Sequence, residues 1–258
     1  GHVSTLKQRL QAGEATVGSW LMLGSASAAE VLATAGFDWL VVDLEHSATT
    51  ERETEDIFRA IETRGVTPLV RLTSNNPDQI KRVLDSGAEG IIVPMVKSAG
   101  DAEAAVAAAH YPPNGNRSFA LSRAQAYGPS FQTYVDQAPN RTLVIALIEH
   151  VDAINNLDEI LAVDGIDATM IGPYDLSGSV GKPGRFNDPE VRSLVERYIQ
   201  SSRAAGVPYG YHVVSTDYAE VETKLSEGFR FVVFSTDTLF LGETARDQMQ
   251  QRQTMVSR

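Results

Sequence analysis

Carboxylate residues follow two short apolar stretches in the second half of the chain. Glu149 comes directly after residues 143–148, and Asp175 comes shortly after residues 168–171. Two carboxylates that meet can share a proton as acid and base, or they can hold a hard divalent cation whose other positions are filled by water and substrate oxygens. Acids at such positions also cap helices or pair with arginine, so the residues alone leave these alternatives open.

An arginine and a histidine stand at the ends of two earlier apolar stretches. Arg71 lies near the end of residues 67–72, and its planar guanidinium suits a carboxylate or a developing enolate oxygen, although it could also pair with one of the acids. His46 is the best candidate for a proton carrier, because histidine changes charge near neutral pH. Asp43 lies just before it and could fix its tautomer. A histidine without such neighbours is more often a structural residue.

The elements that must position these residues form a regular alternation. Eight nearly continuous apolar stretches predict parallel strands that helices cover on both faces. The predicted strands are 16–23, 39–44, 67–72, 90–96, 143–149, 168–171, 207–213 and 231–234. The predicted helices are 26–34, 51–63, 77–86, 99–110, 153–161, 189–205, 217–226 and 238 to about 251. Glycine just past several helices and proline in the first turn of others support these boundaries.

The alternation predicts one α/β domain over residues 1–258, folded as a (β/α)8 TIM barrel. An open, doubly wound sheet should carry a glycine-rich phosphate loop after the first strand, and Leu23–Ala26 does not supply one. In barrels the active site lies at the carboxyl ends of the strands, where the polar residues stand. The long loops 111–141 and 175–188 are predicted to be lids over it. Gly1-His2 is interpreted as a remnant of cloning.

The positions of the lysines argue against Schiff-base chemistry. Such chemistry needs a lysine inside the barrel. Residues 169–171 contain none, and Lys97 and Lys182 fall in or near loops. Electrophilic activation is therefore expected from a metal. No glycine-rich phosphate cradle follows the last two strands, which disfavours a phosphosugar substrate.

The composition disfavours several other classes of protein. The chain has no cysteine, which rules out disulfides, thiolate metal sites and a cysteine nucleophile. Its formal charge of −11 argues against a nucleic-acid partner. No apolar run approaches the ~20 residues that span a bilayer, so no membrane partner is expected. The N-terminus lacks a signal pattern, which predicts a cytoplasmic protein.

Ordered motifs over nearly the whole chain resemble those of the HpcH/HpaI aldolases. The motifs are Val42-Asp43-Leu44-Glu45-His46, Pro68-Leu69-Val70-Arg71, Ile92-Val93-Pro94-Met95-Val96, Tyr111-Pro112-Pro113-Asn114-Gly115-Asn116-Arg117, Asn156-Leu157-Asp158-Glu159-Ile160 and Gly165-Ile166-Asp167 through Ile171-Gly172-Pro173-Tyr174-Asp175-Leu176-Ser177. The resemblance implies a class II aldolase of the pyruvate/phosphoenolpyruvate barrel superfamily. Such enzymes reversibly cleave 4-hydroxy-2-oxo acids to pyruvate, sometimes hydroxypyruvate, and an aldehyde.

The resemblance also implies roles for individual residues. Glu149 and Asp175 match the family's ligands for Mg²⁺, Mn²⁺ or Co²⁺. His46 matches the catalytic base, with Asp43 on the same strand end, and Arg71 matches the residue that stabilises the enolate. Asp85 matches an acid that is thought to increase the basicity of the histidine. Family members are typically homohexamers, built as trimers of dimers that exchange the last helix, here Thr238 onward.

The residues implied to bind the substrate are Arg71, Leu147, Gly172, Pro173, Tyr174, Asp175 and His212. Two of them depart from the family pattern. Leu147 stands where the family often has glutamine, so one polar contact to the substrate is absent or replaced. His212 stands where members that cleave diacids commonly have an apolar residue, and a histidine there could favour a polar, hydroxylated or acidic aldehyde.

Three other functions remain as alternatives. A superfamily lyase acting on a CoA thioester would need a basic groove, whereas the loops offer only Arg117, Arg123, Lys182 and Arg185. A non-catalytic carboxylate-binding barrel would be expected to lack the base or a metal ligand. A cofactor-independent isomerase would differ from an aldolase in not depending on metal.

Overall fold

The computed structural model describes residues 3–256 and contains a closed barrel of eight parallel strands in chain order. The strands are β1 (Thr16–Leu21), β2 (Trp39–Asp43), β3 (Thr67–Arg71), β4 (Gly90–Val93), β5 (Leu143–Ile148), β6 (Ala168–Ile171), β7 (Tyr209–Val213) and β8 (Phe231–Thr236). β8 closes the barrel by pairing with β1. The predicted (β/α)8 barrel and its eight strands are therefore confirmed. Gly1-His2, interpreted as a cloning remnant, lies outside the described residues.

Helices separate the strands and cover the barrel. They are α1 (Leu6–Gln11), α2 (Ala26–Ala33), α3 (Glu51–Glu62), α4 (Pro77–Ser86), α5 (Ala99–Ala109), α6 (Phe131–Arg141), α7 (Val151–Asn155), α8 (Leu157–Leu161), α9 (Pro173–Ser179), α10 (Pro189–Ala205), α11 (Tyr218–Ser226) and α12 (Asp237–Val256). The predicted helix 153–161 is two short helices, α7 and α8, which meet at Asn156. The short helices α1, α6 and α9 were not expected from the sequence.

The apolar core has two layers, one inside the barrel and one between the strands and helices. The inner layer includes Trp39, whose ring stacks on Phe231 with 4.0 Å between ring centroids. Gly18 makes room for this indole, because a Cβ at that position would lie 2.0 Å from Trp39 Cε3. Leu6 and Leu10 of α1 join the inner layer. α1 thereby closes the amino-terminal end of the barrel and leaves the opposite end open.

The long loop 111–141 lies at the amino-terminal face of the barrel, so its prediction as a lid was wrong. It begins where α5 ends and leads into the start of β5. Lys7 of α1 donates a hydrogen bond to the carbonyl oxygen of Pro139 over 2.8 Å, and Arg117 pairs with Asp85 over 2.9 Å. These contacts keep the segment away from the carboxyl ends of the strands. The other predicted lid, 175–188, does follow β6 at the carboxyl-terminal face.

The last helix, α12, is largely exposed along its length. Phe240 packs against the core, whereas Leu241, Met249 and Met255 are exposed. Near Phe240, α2 and α11 border a largely apolar cleft of about 760 Å³. Within residues 3–256, no helix has the length and apolar character that crossing a membrane requires.

Candidate functional site

A cavity of about 620 Å³ opens at the carboxyl ends of the strands. Its walls bring together most of the predicted site residues: His46, Arg71, Leu147, Glu149, Gly172, Pro173, Tyr174, Asp175 and His212. Asp43 lies directly behind Arg71 and is fully buried. Asp85 is the one predicted site residue that lies elsewhere. The residues of the cavity lie together because the parallel strands of a barrel all end at the same face.

Glu149 directly follows β5 and is buried, with 4% of its surface exposed. Its Oε1 accepts a hydrogen bond from the backbone N–H of Met95 over 3.0 Å. On the neighbouring strand end, Gly172 lies against the same side chain. A Cβ at Gly172 would lie 2.9 Å from Glu149 Cβ and 3.0 Å from Oε2. The glycine therefore allows Oε2 to lie close to the start of α9.

Burial raises the pKa of Glu149 from its usual range to about 7. The Met95 N–H opposes this rise, while the negative charges of Glu45 and Asp175 add to it and the Arg71 cation again lowers the pKa. Asp175, in the first turn of α9, is thus near enough to act on Glu149 electrostatically. A buried carboxylate with more acids than cations around it favours the uptake of a proton or a metal cation.

The oxygen atoms of Glu149 and Asp175 suit a hard divalent cation. Within residues 3–256, no group of three or more acids or histidines is placed so that it could hold a metal ion. Magnesium is commonly bound through only one or two carboxylates, with water and substrate completing its octahedron. The two carboxylates therefore fit a site of that kind.

Asp43 positions Arg71 and the chain that follows β2. Its Oδ1 accepts hydrogen bonds from Arg71 Nε over 3.0 Å and from the backbone N–H groups of Glu45 and His46 over 3.0 and 3.2 Å. The terminal guanidinium nitrogen of Arg71 donates to the other carboxylate oxygen. Trp20 covers the guanidinium, whose central carbon lies 4.2 Å from the ring centroid. Asp43 thus holds the Arg71 guanidinium in place. The sequence suggested that Asp43 could fix the tautomer of His46, but its carboxylate does not contact that imidazole.

His46 is exposed at the rim of the cavity, and the carboxylate near its ring belongs to Glu45. The distance from His46 Nε2 to Glu45 Oε1 is 3.6 Å, and Glu45 Oε2 lies 3.5 Å from Arg71 Nε. Glu45 Oε2 is buried without a hydrogen-bond partner. Burial raises the pKa of Glu45, against the lowering effect of the Arg71 charge. Glu45 therefore places a carboxylate between the Arg71 guanidinium and the His46 ring.

His212 lies on the opposite wall, on β7. Its Nε2 lies 3.2 Å from the carbonyl oxygen of Ser235 on β8, and its ring meets Trp20 edge-on with 5.8 Å between centroids. Burial lowers the pKa of His212 to about 4. Leu147 lies near the base of the same cavity and is buried. Leu147 and His212, the two residues that depart from the family pattern, therefore both line the cavity.

The segment after β6 forms one side of the cavity mouth. Tyr174 is 65% exposed and meets Phe186 edge-on at 6.0 Å between ring centroids. Ser177 Oγ donates to the carbonyl oxygen of Tyr174 over 2.6 Å and accepts from the backbone N–H of Gly184 over 2.9 Å. These bonds tie the two ends of the loop together, so the aromatic pair is held over the entrance.

Asp85 does not reach His46 within this chain. It lies in the last turn of α4, and barrel helices run opposite to the strands, so this turn lies toward the amino-terminal face. Its carboxylate accepts a hydrogen bond from Arg117, whose side chain is fully buried. The resemblance implied that Asp85 increases the basicity of the histidine, whereas within one chain its carboxylate pairs with Arg117 of the loop 111–141.

The sequence did not single out three groups that contact the predicted site residues. Trp20 lies over Arg71, Glu45 lies between Arg71 and His46, and the Met95 N–H binds Glu149. The acid in Asp43-Leu44-Glu45-His46 was a visible signal for Glu45. A tryptophan near the end of the first strand was a weaker signal for Trp20. Met95 gave none, because its role depends on a backbone φ of 54°.

Comparisons with known proteins agree with this fold. The model of the family described as HpcH/HpaI aldolase/citrate lyase matches residues 16–242. A 2-dehydro-3,6-dideoxy-6-sulfogluconate aldolase of Pseudomonas putida is 39% identical over 239 residues, 92% of each chain. A 2-keto-3-deoxy-L-rhamnonate aldolase of Escherichia coli O157:H7 is 38% identical over 244 residues, 94% of this chain and 90% of that one. The crystal structure of a family member from Burkholderia cenocepacia J2315 has a TM-score of 0.90 at 34% identity, covering 96% of this chain and 98% of the other.

Proposed function

Since the chain belongs to the HpcH/HpaI aldolase/citrate lyase family and is a carbon–carbon lyase, we propose that it is a metal-dependent class II aldolase. Its reaction would be the reversible cleavage of 4-hydroxy-2-oxo acids to pyruvate or hydroxypyruvate and an aldehyde. The observation that carries this proposal is the convergence of His46, Arg71, Glu149 and Asp175 on one cavity. A base, an oxyanion-stabilising cation and a pair of metal-binding carboxylates are the groups that such a cleavage requires.

Glu149 and Asp175 would hold the divalent metal, with Mg²⁺, Mn²⁺ and Co²⁺ as the candidates. The fit is supported by the burial of Glu149 and by the rise of its pKa to about 7, because a bound cation would offset the cost of the buried charge. The metal, when bound, supplies Lewis-acid polarisation of the substrate's 2-oxo group. The first-turn N–H groups of α9, which lack carbonyl partners within the helix, would receive the substrate carboxylate beside Gly172 and Pro173.

The chain's own side chains would carry the proton and the developing charge. His46 removes the proton of the 4-hydroxyl group, and the O–H electrons form the C=O bond of the aldehyde. The C3–C4 bond breaks, and its electrons form the C2–C3 double bond of the enolate. Arg71, held by Asp43, donates hydrogen bonds to the enolate oxygen as charge develops on it. A proton delivered to C3 then completes pyruvate. Exposure of His46 at the rim lets it exchange protons with solvent.

The relatives narrow the proposed substrate class. Both are named for 2-oxo acids that lack a hydroxyl at C3 and are derived from sugar acids. We therefore favour a hydroxylated 4-hydroxy-2-oxo-3-deoxy acid. A CoA thioester is less well supported, because among residues 3–256 the cations that line the cavity are Arg71 and Lys224, and Lys224 pairs with Glu227.

Release of pyruvate from 4-hydroxy-2-oxo acids by EDTA-treated enzyme, before and after addition of Mn²⁺ or Mg²⁺, tests the proposal. We expect release only after metal is added, and its loss in Glu149→Ala. Persistent release without metal, trapped by borohydride as an adduct on Lys97 or Lys182, would replace the proposal with a Schiff-base mechanism. No release from any such acid would favour a thioester lyase instead.

The assembly and location are proposed on the same basis. We propose a homohexamer, a trimer of dimers in which α12 is exchanged between subunits, located in the cytoplasm. The cleft bordered by α2 and α11 and the exposed apolar residues of α12 support the exchange.

A further inference from the structure

We propose that His212 is a neutral hydrogen-bond acceptor that binds a hydroxyl group of the substrate and so selects hydroxylated reactants over unhydroxylated ones. This inference rests on the aldolase function proposed above and specifies how one side chain in the wall of the same cavity recognises the substrate. It follows from the tautomer of the ring, from its charge state and from its position relative to Arg71 and α9.

The tautomer of His212 is set by Ser235. A carbonyl oxygen can only accept, so the 3.2 Å contact between His212 Nε2 and the Ser235 oxygen places the ring proton on Nε2. This carbonyl is firmly held, because Ser235 is fully buried and its Oγ donates to the carbonyl oxygen of Val214 over 2.9 Å. The backbone of Ser235 also takes a left-handed φ of 53°. Nδ1 is therefore left as an acceptor.

The charge state follows from the surroundings of the ring. Burial is the main cause that lowers the pKa of His212 to about 4. The Arg71 charge lowers it further, while the Ser235 carbonyl and Asp43 raise it. At neutral pH the ring is uncharged, and Nδ1 keeps its lone pair. Over residues 3–256, no protein group donates a hydrogen bond to Nδ1.

The position of His212 suits a hydroxyl next to the reacting carbons. In the proposed orientation, the 2-oxo oxygen faces Arg71 and the carboxylate faces the start of α9. Trp20 covers the Arg71 guanidinium and meets His212 edge-on, so the imidazole lies near the place where a substrate bound to Arg71 would carry its reacting carbons. Two substrate groups could supply a hydroxyl there: the 3-hydroxyl of a hydroxypyruvate donor, or the 2-hydroxyl of the aldehyde. In both cases the hydroxyl group would donate a hydrogen bond to His212 Nδ1.

The test compares four pairs of reactants in the addition direction with Mn²⁺-loaded enzyme. The donors are pyruvate and hydroxypyruvate, and the acceptors are acetaldehyde and glycolaldehyde. We expect His212→Leu to lower kcat/KM by ~10-fold or more for the pairs that carry the selected hydroxyl, and to leave the other pairs nearly unchanged. His212→Gln, which keeps an acceptor oxygen, should restore part of the loss. If kcat/KM falls for the hydroxypyruvate pairs, His212 selects the donor. If it falls for the glycolaldehyde pairs, His212 selects the aldehyde.

The possible outcomes separate this inference from the aldolase proposal. Turnover of all four pairs in unchanged ratios by His212→Leu would overturn the inference and leave the aldolase function standing. An equal fall for all pairs, accompanied by a lower Tm, would mean that His212 only supports the fold, and would also overturn it. No turnover of any pair by the unaltered, metal-loaded enzyme would overturn the aldolase proposal itself and the inference with it.

Discussion

Asp43 and Arg71 form a two-pronged ion pair at the adjoining ends of β2 and β3, with 3.0 Å between Arg71 Nε and Asp43 Oδ1. The same carboxylate accepts the backbone N–H groups of Glu45 and His46. One fully buried acid therefore orients both the proposed oxyanion-stabilising cation and the chain that carries the proposed base. Neither group would keep its position if this carboxylate lost its charge.

We expect Asp43→Asn to lower kcat by roughly 10- to 100-fold, with a smaller effect on KM, because misplacing a charge-stabilising group acts mainly on the transition state. Steady-state kinetics with saturating Mn²⁺ would measure this. Asp38→Asn is a matched control, since Asp38 binds Arg9 and the Val17 N–H at the amino-terminal end of the barrel. It should lower Tm and leave kcat unchanged. Equal kcat losses in the two variants would contradict the role given to Asp43.

Gly172→Ala should weaken metal binding without unfolding the barrel. The added Cβ would lie 2.9 Å from Glu149 Cβ and 3.0 Å from Oε2, so the carboxylate must move. Calorimetric titration with Mn²⁺ should give an affinity lower by ~10-fold or more, in the range that displaced supporting groups cause at metal sites. Gly178→Ala serves as the control, because a Cβ at Gly178 meets nothing within 4 Å. Unaltered Mn²⁺ affinity in Gly172→Ala would argue against Glu149 as a ligand.

The fold could be predicted from the sequence because each buried strand is an apolar run, and a run is visible without its neighbours. β5 and β6 were found for this reason. The helices α6 and α9 escaped because their signals conflict: Pro139 lies inside α6, and α9 is a seven-residue helix in a segment rich in glycine and serine. The direction of a long connection is not visible either. The loop 111–141 follows helix α5 and leads into the start of β5, so it lies at the amino-terminal face.

The site could be predicted as a set of residues but not as a set of contacts. Arg71 ends a strand, and His46, Glu149 and Asp175 follow strands, so the barrel brings all four to one face. Whether Asp43 binds His46 or Arg71 depends on how β2 and β3 align, and their register pairs Asp43 with Arg71. Within one chain, Asp85 lies at the other end of the barrel from His46 and pairs with Arg117, because α4 runs opposite to the strands. Such choices depend on tertiary packing, which a single sequence does not display.

The proposed exchange of α12 predicts a change of assembly in Leu241→Asp. Leu241 is 67% exposed in the single chain, so a charge there should cost the isolated subunit little stability. Placed against a partner's apolar cleft, the same charge would have to be desolvated. Light scattering after size exclusion should show smaller species than for the unaltered protein. Gln248→Asp, on the same helix, should assemble normally. An unchanged mass for Leu241→Asp would count against the exchange of this helix.

Glu149→Gln should stabilise the metal-free protein, and increasingly so at higher pH. Burial raises the pKa of Glu149 to about 7, so the folded state holds this proton more tightly than the unfolded state does. The contribution of this group to the free energy of unfolding is therefore complete at acid pH, below the usual pKa of a glutamic acid. It is lost as pH rises through about 7, where the buried carboxylate becomes charged.

Glutamine keeps an acceptor for the Met95 N–H but does not ionise. The difference in unfolding free energy between variant and wild type should therefore grow from near zero at pH 4.5 to roughly 3 kcal/mol at pH 8.5, as an upper limit. Urea unfolding in EDTA across this range would measure it. Excess Mn²⁺ at pH 8 should reverse the order, because a cation that binds only the folded wild type stabilises it. A pH-independent difference would show that Glu149 carries no such buried charge, and equal responses of the two proteins to Mn²⁺ would remove it from the metal site.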